Sequence, residues 1–199
     1  MKHAIIFLLS TVLLLSFAST VAAYHETEMK AAVLEMSDDE QIKLAESAAP
    51  SFISGDATIM ILDKDLKYNK VRTGSNGFTC YSDLDKIDVA VPTCMDKAAV
   101  QWWNDFISGK PGPTNKVPGI AYMAKGALRW EKDGKIFMDW HEPGTKRIKE
   151  PPHWLIFWPF DAKSANLPTY PGKFGSYIMY DGTPWSHLMI YQDPFLIGK

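Results

Sequence analysis

The hydrophobic pattern divides the chain into three parts. Residues 4–18 form an apolar run broken only by Ser10, Thr11 and Ser16. Residues 24–50 then carry apolar positions at helical spacing. Met29, Ala32, Val33 and Met36 form one stripe, and Ile42, Ala45 and Ala49 form the apolar face of a second segment. Ser37 and Glu40 have the spacing of a capping box, so a fresh helix is expected to start there, and Pro50 ends it.

From Ala57 the pattern is that of short strands. Thr58–Leu62 is a short apolar run, with Lys67–Arg72 as its partner across a turn at Asp63-Lys64-Asp65. Gly74-Ser75-Asn76-Gly77 reads as a turn. Thr93 and Asp96 can cap a helix from about Cys94 to Ser108, with Trp103 and Phe106 on its aromatic face, Trp102 flanking, and Gly109 as the stop. Lys110–Pro118 is a Pro/Gly loop. Five further strands are expected at Ile120–Ala124, Ala127–Trp130, Lys135–Trp140, His153–Trp158 and Tyr177–Tyr180, and another at Trp185–Tyr191. Lys132-Asp133-Gly134 supplies a hairpin turn, and Lys146-Arg147-Ile148-Lys149 reads as a solvated basic loop. The expected fold class is α+β: a single domain with a mainly antiparallel β-sheet, two or three helices and one disulfide.

The apolar run at the start changes the cellular reading. Lys2 precedes it, and Val21-Ala22-Ala23 follows with small residues where a signal peptidase cleaves. This is the layout of a secretory signal peptide over residues 1–23, too short for an ordinary membrane-spanning helix. The expected organisation is signal peptide 1–23, helical segment 24–50 and α+β domain 51–199. The removed segment holds one basic residue, Lys2, and no acid, so the mature chain has 176 residues and formal net charge −3. The expected location is periplasmic or secreted, with no membrane span after cleavage. Export also bears on Cys80 and Cys94, the only cysteines, because an even count in an oxidising compartment points to a disulfide. With no nearby His and no C-x-x-C motif, zinc binding and redox chemistry are poor alternatives for them.

The full chain has 21 basic and 23 acidic residues, with 46% of positions hydrophobic. That is a folded composition. Its lack of basic excess argues against nucleic acid as a partner.

Several short motifs occur together. They are Gly74-Ser75-Asn76-Gly77-Phe78-Thr79-Cys80, Pro92-Thr93-Cys94, Pro151-Pro152-His153, Leu167-Pro168-Thr169 and Gly182-Thr183-Pro184-Trp185-Ser186-His187-Leu188-Met189. In that order the chain resembles a family of uncharacterised secreted bacterial proteins, over about residues 41–191. The resemblance implies a bacterial envelope location and a bond between Cys80 and Cys94. It implies no activity. Between Gly126 and Trp140 this chain has a charged hairpin where the family pattern is a polar loop.

Candidate chemistry is sparse. No nucleophile-elbow, zinc-protease, P-loop or dinucleotide-binding pattern occurs. The chain is therefore read as a non-catalytic binding or structural module, with no cofactor, for a small ligand or an envelope component. One alternative is a copper or zinc site on His153 and His187, which open similar apolar strands, with His141 as a third ligand. Another is an enzyme whose site is assembled from scattered residues. Both imidazoles are expected at the rim of the core, within reach of a polar partner. Seven Trp residues suggest an aromatic binding surface, for which Trp185, Trp154 and Tyr122 are the candidates.

Overall fold

Ser37 starts the first helix as its pattern suggests. Its hydroxyl accepts from the Glu40 backbone N–H, and the Glu40 carboxylate returns to the Ser37 backbone, closing the capping box. The computed structural model describes residues 33, 35–82, 90–139 and 142–198. The segment 1–23 expected as a signal peptide, His25, Met29, Ala32, residues 83–89 of the disulfide loop, Trp140 and His141 lie outside the described residues.

The helices are α1 (Asp38–Glu46), α2 (Ser51–Ser54), α3 (Lys97–Ile107) and α4 (Ala162–Ala165). The first five strands are β1 (Thr58–Leu62), β2 (Tyr68–Arg72), β3 (Phe78–Tyr81), β4 (Thr93–Asp96) and β5 (Gly119–Met123). They continue as β6 (Leu128–Lys132), β7 (Lys135–Phe137), β8 (Lys146–Lys149), β9 (His153–Phe157), β10 (Ser176–Met179) and β11 (His187–Ile190). Eight strands form one sheet in the order β10-β11-β9-β5-β4-β3-β1-β2. All its neighbours are antiparallel except β1 and β3. The other three form a small sheet in the order β7-β6-β8. This is an α+β single domain with a mainly antiparallel sheet.

The two faces of the large sheet are covered differently. On one face, Ala99 and Trp102 of α3 pack on Met95, Ala121, Leu155, Phe157, Tyr177 and Met189. Gly119 permits this contact, because a Cβ there would collide with the backbone of Ala98 and Ala99. On the other face, Ala45, Ala48, Ala49 and Ile53 pack on Ile59, Ile61, Cys80 and Cys94. Gln41 fixes α1 over the end of β1: its amide donates to the Leu62 carbonyl, and its oxygen accepts from the Leu62 N–H and the Ser82 hydroxyl. This second helical layer lies on β1, β3 and β4.

Three local expectations are corrected. The helix expected from Cys94 starts at Lys97, because Thr93–Asp96 is a strand held between β3 and β5. Asp96 still caps α3, accepting from the Ala99 N–H, and also accepts from the Ile120 N–H. Trp102, expected to flank, is the buried member of its pair: it stacks on Phe106 and Phe157, while Trp103 is half-buried against Phe106. Lys146–Lys149, expected as loop, is β8, paired with β6 from Leu128↔Lys149 to Glu131↔Lys146.

Cys80 and Cys94 face each other across β3 and β4 and are bonded, with Cα atoms 3.9 Å apart. Among the described residues no helix is long and apolar enough to cross a membrane.

Candidate functional site

The disulfide begins a row of cross-strand neighbours. Cys94 stands opposite Tyr122, Tyr122 opposite Trp154, Trp154 opposite Ile190, and Ile190 opposite Ser176. A second row on the same face runs Ile120, Ile156, Leu188 and Ile178. Directly opposed residues share a face, so both rows lie on the side that carries α1 and α2. The main contacts of those helices are with β1, β3 and β4, and at the far end of the second row Ile178 is fully buried.

The result is an open apolar floor. Ile120, Tyr122, Trp154, Ile156, Leu188 and Ile190 are all half-buried. The Tyr122 and Trp154 rings are tilted at 33° with centroids 6.4 Å apart, and Phe78 extends the aromatic line at 5.9 Å from Tyr122. The Gln192 amide oxygen accepts from Trp154 Nε1 and fixes the indole. None of the six floor residues is charged. From β5 to β11 the floor is about 10 Å wide, and its rows are about 7 Å apart. This is far below the roughly 800 Å² per partner of a stable protein interface.

On the opposite face, between the two sheets, lies a buried polar cluster. Glu150, only 2% exposed, is its centre. Its Oε1 accepts from Tyr177 Oη at 2.7 Å and Tyr191 Oη at 2.8 Å. Arg129, 8% exposed on β6, donates to Tyr191 Oη at 3.1 Å and to Glu131, which also accepts from Tyr170 Oη. Gly126 makes room for this hub. Its backbone is left-handed (φ +78°), and a Cβ there would fall on the Glu150 carbonyl. Burial, then the Glu150 charge, pushes both the Tyr177 and Tyr191 hydroxyls up, so they remain donors. For Arg129, burial opposes the charge, but Tyr170, Tyr191, Glu131 and Glu150 together hold the guanidinium more firmly protonated than usual.

The two histidines occupy equivalent places on β9 and β11. His153 Nδ1 lies 2.8 Å from the Pro151 carbonyl, and His187 Nδ1 lies 2.9 Å from the Trp185 carbonyl. A carbonyl only accepts, so Nδ1 carries the proton in both rings and Nε2 keeps its lone pair. Each ring also meets an aromatic of the neighbouring strand or its continuation: His153 meets Tyr191 at 5.9 Å, and His187 meets Phe157 at 5.3 Å.

Both rings therefore find a polar partner, but neither is at the rim. His153 is 0% exposed and His187 is buried among Trp102, Phe157 and Tyr180. The local carbonyl bond satisfies each Nδ1 without water, which permits the deeper position. Burial lowers His153, against Glu150, and pushes His187 down to about 4.

The antiparallel pairing of β9 and β11 sets the two histidines at opposite ends of the strand pair, so they do not open the sheet at one end. Among the described residues no three His, Cys, Asp or Glu side chains are grouped to hold a metal ion. Trp185, a candidate for ligand contact, is 7% exposed and lies edge-on to Trp102 and Phe106 inside the core. Tyr122 and Trp154 are brought together, as cross-strand neighbours on the open floor. Glu150, Arg129, Tyr177 and Tyr191 were missed in the sequence. Arg129 alone left a signal, the polar residues at period two in Leu128-Arg129-Trp130-Glu131-Lys132, which fits either face of a strand.

No protein-family model matches the chain, and neither a curated protein nor a solved structure matches it.

Proposed function

We propose that this protein is an exported, non-catalytic binding module that holds a small, uncharged, largely apolar ligand on the open floor of its large sheet. The observation that carries this reading is the Tyr122–Trp154 pair. Two large aromatic rings stand side by side, half-buried, in a row continued by Ile190 and flanked by Ile120, Ile156 and Leu188. Trp and Tyr supply contact area at low entropic cost, and the lack of charge on the floor favours a neutral ligand. The buried Glu150 cluster has a supporting role: it ties β6, β10 and the end of β11 together behind the floor. Export is favoured by the amino-terminal signal pattern and by the Cys80–Cys94 bond.

The test is a fluorescence titration with the neutral apolar probe N-phenyl-1-naphthylamine. Saturable binding is expected, with affinity at least tenfold weaker in Trp154→Ala and an unchanged fold by circular dichroism. Equal binding by Trp154→Ala would remove the reading.

The copper or zinc alternative keeps one supporting observation, the unpartnered Nε2 of His153. Elemental analysis of protein purified from its native envelope decides it: one equivalent of metal, lost in His153→Gln, would favour that alternative.

A further inference from the structure

Two hydrogen-bonding groups on the floor have no partner among the described residues. The first belongs to Gln192, which follows the end of β11. An indole N–H only donates, so the amide atom that meets Trp154 Nε1 at 3.2 Å is the oxygen. The amide nitrogen is left over, with two hydrogens, on an exposed residue. The second group is the Tyr122 hydroxyl. The Tyr122 ring neighbours Phe78 and Trp154, but its Oη bonds to no described residue and is not among the buried unpartnered atoms, so it reaches solvent. Burial, then the Asp96 charge, raises this hydroxyl above its ordinary value, so it stays protonated and able to donate. Strand β9 lies between β5 and β11, so the two groups stand on either side of the Trp154 indole.

On the basis of the binding role proposed above, we infer that the ligand of the floor is a flat, neutral ring compound with carbonyl oxygen on its edge (an aryl ketone or a quinone), read by the Gln192 amide and the Tyr122 hydroxyl. The indole offers a face on which a flat ring stacks, and the aliphatic row beside it suits an apolar body. An amide nitrogen only donates, so the ligand atom it meets must accept. A ring carbonyl accepts through two lone pairs and brings no hydrogen that needs a partner of its own. A carboxylate also accepts, but its charge would have to leave water for a floor that holds no cation, which is costly.

The experiment is displacement of N-phenyl-1-naphthylamine from the full chain by two compounds of nearly the same shape, 9-fluorenone and fluorene, of which only the first carries a carbonyl. The readout is the ratio of their affinities. Fluorenone is expected to bind about fivefold tighter, the worth of one neutral hydrogen bond. Gln192→Glu keeps an oxygen for Trp154 Nε1 and removes the donor, and Tyr122→Phe keeps the ring and removes the hydroxyl. In the Gln192→Glu/Tyr122→Phe variant the ratio is expected to fall to near one. A wild-type ratio near one, with both compounds displacing the probe, overturns this inference and leaves the floor as a binding site. A ratio unchanged in the double variant also overturns it, because the preference would then come from ring stacking alone. Failure of the naphthylamine itself to bind removes the floor as a binding site and this inference with it. Circular dichroism checks each variant; should the double variant not fold, the single Gln192→Glu change carries the same test.

Discussion

Glu150 Oε2 stands 4.0 Å from Nε2 of His153, and that nitrogen has no hydrogen-bond partner although its ring is fully buried. The other carboxylate oxygen of Glu150 accepts from both Tyr177 and Tyr191, which fixes the side chain in place. One buried carboxyl group therefore joins β9, β10 and the end of β11, and through Arg129 the small sheet. Removing it takes the acceptor from the buried Tyr177 hydroxyl and from Tyr191, and leaves Arg129 with Glu131 as its one carboxylate partner. Glu150→Ala is expected to destabilise the protein by about 3–5 kcal/mol in urea unfolding, with Glu150→Gln less severe because an acceptor oxygen remains. A loss below about 1 kcal/mol for Glu150→Ala would show that the cluster is not a hub.

The buried imidazoles set the response to mild acid. Each has a folded pKa below its unfolded value of about 6.5, so each binds its proton more readily in the unfolded chain. Their contribution is complete above about pH 6.5 and is lost as pH falls. For His187 the loss runs down to about pH 4 and amounts to about 3 kcal/mol. Urea midpoints measured from pH 7 to pH 4 are expected to fall over this window, and to fall less in His187→Phe. The depressed carboxyls of Glu131 and Asp105 add their own loss only as pH approaches their unfolded values of about 4, so the upper part of the window belongs to the imidazoles.

The disulfide pairs two adjacent strands, so its reduction releases a short loop from a sheet that still holds both strands. Reduction is expected to cost about 2–4 kcal/mol without changing the far-ultraviolet circular dichroism at room temperature. Two free thiols per chain in a denaturing, non-reducing titration would contradict the bond.

The sequence was most informative where one residue type has one local use. Ser37 and Glu40 marked the start of α1, and Asp96 marked a cap although the expected helix began three residues early. The misplacement arose because Thr93–Asp96 precedes the helix directly: local capping signals cannot reveal that a strand with long-range partners runs into the same residues. The same limit hid the site. The apolar runs at His153–Trp158 and Trp185–Tyr191 indicated strands, but which residues stand beyond the layer of α1 and α2 depended on where that layer lies along the sheet. The echo between Pro152-His153 and Ser186-His187 did mark equivalent geometry, since each Nδ1 meets the carbonyl two residues upstream. It did not reveal that the strands run antiparallel.

The most direct measurement of the central claim is a map of methyl chemical shifts, taken as the neutral probe N-phenyl-1-naphthylamine is titrated into the protein. Ile156, Leu188 and Ile190 methyls on the open floor are expected to shift with a common saturation curve, while Met95 and Met189 on the α3 face stay in place. Shifts confined to Met95 and Met189, or none at Ile156, Leu188 and Ile190 at saturating probe, would contradict the account.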